Sequence, residues 1–162
     1  NPWTGEWSQK VFGGKTSRAR EYGRFGTAHG ITLNPYNGRL SVADRAHSRI
    51  QDFDHRGVFL NNVALPEGSL PCDVDFFQGY ALVGCLRGPA GQTPAPCYIL
   101  DQDGDLVGEV NPKRDFGLEL FTHIHNAAWK PLKADNGSVE KLYILATAWN
   151  PGGFAVIEVE RR

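Results

Sequence analysis

No stretch of this chain approaches the roughly 18 consecutive apolar side chains that a membrane-spanning helix needs. The longest apolar run among the 162 residues, Leu142–Trp149, is eight residues with Thr147 inside it. Insertion into a bilayer as a helix is therefore excluded. Nor is one sign of charge in excess, since 17 Lys and Arg stand against 18 Asp and Glu, a net charge of −1. Nucleic acids and anionic membrane surfaces require a basic footprint, so neither is expected as a partner. Cysteine is scarce. Cys72, Cys85 and Cys97 are too widely spaced for a CxxC metal clip, and an odd count gives no complete disulfide framework. Two arrangements stay open, a single Cys85–Cys97 bridge across a loop or three buried thiols, and the redox compartment stays open with them. Methionine is absent and the chain opens with Asn1-Pro2, which leads us to expect a processed chain or a fragment. No signal-peptide pattern is visible.

What is abundant is turn-forming and aromatic. The chain holds 19 Gly and 10 Pro, with four Trp, five Tyr and nine Phe. That mix predicts many short strands joined by tight turns rather than a helical bundle.

The strands recur. From His29 the sequence gives four apolar pulses, Ile31–Leu33, Leu40–Ala43, Arg49–Phe53 and Val58–Leu60, separated by Asn34–Gly38, Ala46–Ser48 and Asp54–Gly57. Four antiparallel strands in so short a span match one propeller blade. The pattern returns from Cys72 and again from His125, openings spaced by 43 and 53 residues, close to the ~40–50 of one blade. The Asp101–Gly104 turn repeats Asp54–Gly57 between third and fourth strands.

We therefore expect an all-β fold of about three blades, over residues 26–61, 70–110 and 122–162. Residues 1–25 are read as the outer strand of a preceding blade (Trp7–Gly14) followed by a crossover (Lys15–Phe25). Three blades cannot close a ring, because propellers carry roughly four to eight. The missing blades are expected from the rest of a longer chain or from a second copy, two such halves making six.

The phrases Phe25–Ile31, Leu40–Arg45 and Arg49–Asp54 resemble an NHL repeat. Within that class the chain, from about Val11 to Val159, is similar to the C-terminal half of peptidyl-α-hydroxyglycine α-amidating lyases, which are six-bladed propellers. The loop Gly88–Pro94 and the stretch Glu109–Phe116 share their spacing. The resemblance implies a zinc-dependent lyase that cleaves peptidyl-α-hydroxyglycine to a peptide amide and glyoxylate, and it favours a secreted or periplasmic setting. In that family three histidines, each opening the innermost strand of a different blade, hold zinc in the central channel. His29 matches one and His125 another, and Arg45 stands where the family has an arginine of the active pocket. The third histidine and a catalytic tyrosine would lie in blades outside this chain. The chain departs from the family at Asn126, where a calcium-binding aspartate is usual, which argues against a Ca²⁺ site. It departs again at Ser41 and Asp52, where a disulfide is usual.

Chemically, side chains at the starts of innermost strands converge on a propeller's axis, and neutral imidazoles there can share Zn²⁺. An arginine beside them can hold a substrate carboxylate with two parallel hydrogen bonds. His123 precedes His125 by two residues, so on an extended strand it would share a face and serve as a substitute ligand. Cys72 occupies the repeat position of the two histidines and is a further candidate ligand, though an inert buried thiol is the simpler expectation. Asp44 is expected to accept turn N–H groups and to pair with Arg49. His47 and His55 are expected to face solvent, and Trp149 to line a channel mouth. The competing function is a non-enzymatic propeller that binds a peptide, protein or small molecule at its channel or rim.

Overall fold

The computed structural model describes residues 20–160. The expected strand at Trp7–Gly14 lies outside them, as do Lys15–Ala19 of the crossover.

The first sheet is a meander of β1 (Ala28–Leu33), β2 (Leu40–Asp44), β3 (Arg49–Phe53) and β4 (Phe59–Ala64), paired antiparallel in chain order. The second repeats it with β5 (Asp75–Phe77), β6 (Tyr80–Gly84), β7 (Cys97–Leu100) and β8 (Leu106–Val110). After a one-turn helix, α1 (Pro112–Phe116), come β9 (Asn126–Lys133), β10 (Val139–Ala148) and β11 (Gly153–Val159), with β10 in the middle. The four pulses read from His29 onward fall on β1 to β4.

One turn device serves two sheets. Between β3 and β4 the Asp54 carboxylate accepts the N–H groups of Arg56 and Val58, both at 2.8 Å. Between β7 and β8 Asp101 does the same for Asp103 and Asp105, at 3.0 and 2.9 Å. Gly57 and Gly104 complete these turns at φ of 79° and 88°, a region that a side chain disfavours.

The sheets stack face to face, and the second is buried on both sides. Val83, Ala81, Tyr98 and Leu100 point toward the first sheet and pack on Ala43 and Ile50. The alternate residues Leu82 and Cys97 point toward the third and pack on Ile124, Ala127, Ile144 and Ala146. This two-sided apolar pattern follows from the period-two alternation of a strand with a neighbour on each face. Leu82, Ile124 and Ile144 are fully buried, and truncating any one to Ala is worth about 2–5 kcal/mol. The architecture is a partial β-propeller of about three blades.

Polar ties reinforce the stacking near the inner edge. Asp73 accepts the N–H of Ala127 at 3.0 Å, and Asp75 accepts that of Trp129 at 2.7 Å. Two carboxylates of the second blade thus hold successive inward N–H groups of β9, and His125 lies just before that strand. On the first sheet, Arg49 donates to the carbonyls of Arg20, Glu21 and Arg24, pinning the incoming segment against the blade.

Of the two arrangements open for the cysteines, the structure has the second: all three are free and buried. No helix among the described residues is long and apolar enough to cross a membrane.

Candidate channel site

His29 is the second residue of β1, and its exposed ring faces the half-buried ring of His125. Their centroids are 5.3 Å apart, with the planes at 82°. Backbone hydrogen bonds fix both residues in place. His125 donates its N–H to Thr147 O at 2.8 Å, which ties it to β10. The Nδ1 of His29 lies 2.6 Å from the carbonyl oxygen of Cys72. A carbonyl can only accept, so Nδ1 carries a proton, and in the neutral ring the lone pair is then on Nε2. This is the outer hydrogen bond typical of a metal-binding imidazole.

Arg45 follows β2 directly, in a single 3₁₀ turn, and its N–H donates to Thr27 O at 2.9 Å. One terminal nitrogen, Nη2, donates to Cys72 Sγ at 3.1 Å. Its Nε is buried and has no partner among the described residues, so the guanidinium retains donor capacity. Burial first, then the charges of His29 and Arg45, hold His125 below the ordinary histidine pKa. That shift favours its neutral form, the form in which imidazole binds a metal. Burial pushes the Cys72 thiol up, against the pull of Arg45.

The donor set fits part of a zinc site: two imidazoles from different blades, one oriented by an outer hydrogen bond to a backbone carbonyl. Among the described residues there is no group of three or more His, Cys, Asp or Glu placed to hold a metal ion. Any further ligand would come from outside them, or from water or substrate.

No family model matches the chain. Peptidyl-glycine alpha-amidating monooxygenase A of Xenopus laevis is 28% identical over 159 aligned residues, covering 84% of this chain and 16% of that protein. The chain is similar to a part of that protein. It spans about 16% of the length of this curated relative. Among solved structures, Sqt1 of Saccharomyces cerevisiae matches with a TM-score of 0.59 at 12% identity, covering 90% of this chain and 34% of that one. A protein of unknown function from Bacteroides caccae matches at 0.50 and 23%, covering 75% and 41%. Both are likenesses of fold.

The residues singled out in the sequence divide in two. His29, His125, Arg45 and the backbone of Cys72 come together. His123 does not join them, because residues 121–125 are not extended and the face-sharing argument fails there. Its Nε2 instead accepts the N–H groups of Trp149 and Asn150, at 2.8 and 3.3 Å, and its Nδ1 meets Thr122 Oγ1 at 3.2 Å. Bonded at both ring nitrogens, it has no lone pair to give a metal. His47 also corrects an expectation. It is buried, not solvent-facing, because the 3₁₀ turn folds its Nδ1 back to 2.8 Å from Asp44. His55 is exposed as expected. Asp44 accepts the N–H of Gly26 at 2.8 Å and Nε of Arg49 at 2.8 Å, as the turn reading required. Sequence reasoning missed the inter-blade carboxylates Asp73 and Asp75, whose only sequence signal is their two-residue spacing at the start of β5.

Proposed function

We propose that the chain carries part of the central-channel site of an NHL-type propeller lyase, acting on peptidyl-α-hydroxyglycine. The observation that carries this reading is the meeting of His29 and His125, from different blades, at 5.3 Å, with Arg45 alongside. The similarity to an amidating monooxygenase over 84% of the chain supports it. In the reaction the carbinol O–H gives up its proton as a C=O bond forms. The C–N bond breaks, and the amide nitrogen takes a proton, leaving peptide amide and glyoxylate.

On this reading His29, through Nε2, and His125 hold zinc. When bound, zinc supplies a Lewis acid that lowers the pKa of a hydroxyl or water beside it. Arg45 orients the substrate by gripping its carboxylate with the donors that Cys72 leaves free. Cys72 orients His29 through its carbonyl. Further blades complete the ring, from a longer chain or a second copy. In keeping with this, the face of the third sheet turned from the second exposes Leu145, Phe154 and Val156, an apolar surface of the kind another blade covers.

The test is to incubate the protein with zinc and a peptidyl-α-hydroxyglycine and to measure glyoxylate and amidated peptide together. The reading expects equimolar release, with kcat/KM reduced about a hundredfold in Arg45→Ala. Release no faster than in buffer would sink the lyase and leave a propeller that binds a partner without chemistry.

A further inference from the structure

Trp149 follows β10 and is 68% exposed. An indole left so open does little for the core, yet its backbone is held with care. The buried His123 accepts the N–H of Trp149 at 2.8 Å and that of Asn150 at 3.3 Å. The result is an indole whose centroid lies 6.2 Å from that of His125. The groups then fall in sequence. Arg45 contacts Cys72, Cys72 holds His29, His29 faces His125, and His125 faces Trp149. A ligand with its carboxylate on Arg45 and its reacting carbon at the two histidines runs onward to the indole.

We propose that Trp149 is the specificity-determining wall of the site, selecting an aromatic or large apolar side chain on the residue before the reacting glycine. His123 is the positioning residue that sets it there. This rests on the lyase reading for the direction of the substrate, but the test does not depend on turnover. An aromatic face offers apolar contact and ring stacking to such a side chain, and with its backbone already held by His123 little of the chain around it need be ordered on binding.

The probes are N-acetyl-phenylalanyl-glycine and N-acetyl-alanyl-glycine, which keep the carboxylate and lack the hydroxyl, so they bind without reacting. Titration calorimetry on the zinc-loaded protein should give about tenfold tighter binding of the phenylalanyl probe. Trp149→Ala should remove that preference by weakening the phenylalanyl probe alone, and Trp149→Phe should keep most of it. His123→Ala should behave as Trp149→Ala and shift the His125 imidazole NMR signal, as the indole ring current moves away. His123→Gln, which restores an acceptor, should recover both. Equal affinity of the wild type for the two probes overturns the proposal. So does a preference that survives Trp149→Ala, the side chain then being taken by the apolar cavity of about 270 Å³ that His29 borders with Phe25, Val42 and Phe53. A failed glyoxylate assay with the Trp149-dependent preference intact sinks the lyase and sustains this subsite.

Discussion

The Nδ1 of His29 lies 2.6 Å from the carbonyl oxygen of Cys72, so the histidine of the first blade is steered by the backbone of its repeat equivalent in the second. The same repeat position thus serves two purposes. In the first and third blades it carries an imidazole, the two rings meeting at 5.3 Å, and in the second it supplies the acceptor that orients one of them.

If Cys72 serves the proposed zinc site through its carbonyl, its thiol is dispensable for metal binding. Cys72→Ala keeps the carbonyl and removes the sulfur, so zinc affinity should change by less than about threefold, while stability falls by about 1 kcal/mol for the small cavity. Equilibrium dialysis against zinc checks it. A loss of tenfold or more would make the sulfur a ligand.

Asp44 is the electrostatic centre of the first blade. It is fully buried and accepts from Gly26, Thr27, His47, Arg49 and Gln51. Asp44→Ala leaves the buried Arg49 guanidinium without its counter-charge, which costs about 3–5 kcal/mol. Urea denaturation of the variant should show that loss as a fall in midpoint. A loss under about 1 kcal/mol would mean that Arg49 finds its compensation in the carbonyls of residues 20–24.

Asp73 should make stability depend on pH. Burial pushes its carboxyl up to about 7, against the pull of the Ala127 N–H, and its Oδ1 has no partner among the described residues. Unfolded, it ionises near 4. Its stabilising contribution is therefore complete below about pH 4 and is lost as pH rises through 7. Asp73→Asn keeps an acceptor for Ala127 and cannot ionise. Relative to that variant the wild type should lose about 2–4 kcal/mol between pH 4 and pH 8. Parallel stability profiles for the two proteins would contradict the assignment.

Much of the fold was legible because strands and turns are local. The alternation in Leu40–Asp44 and Arg49–Phe53, and the Asp54 and Asp101 turns, depend on neighbours a few residues away. That His29 and His125 open their blades was legible in the repeat, and the two rings do lie close together. What was not legible depends on contacts across the chain. His47 reads as a turn residue until the turn closes on Asp44. His123 reads as sharing a face with His125 until its ring is seen to meet backbone N–H groups 26 and 27 residues later. The Cys72 carbonyl has no side-chain signature at all, and the Asp73 and Asp75 ties reach 54 residues along the chain.

The measurement that bears most directly on the central claim is zinc stoichiometry, by elemental analysis after dialysis, in the wild type, His29→Ala and His125→Ala proteins. One zinc for each completed channel is expected in the wild type and none retained in either variant, with folding verified by circular dichroism. A wild-type protein that takes up no zinc, or zinc retained in full by both variants, would contradict it.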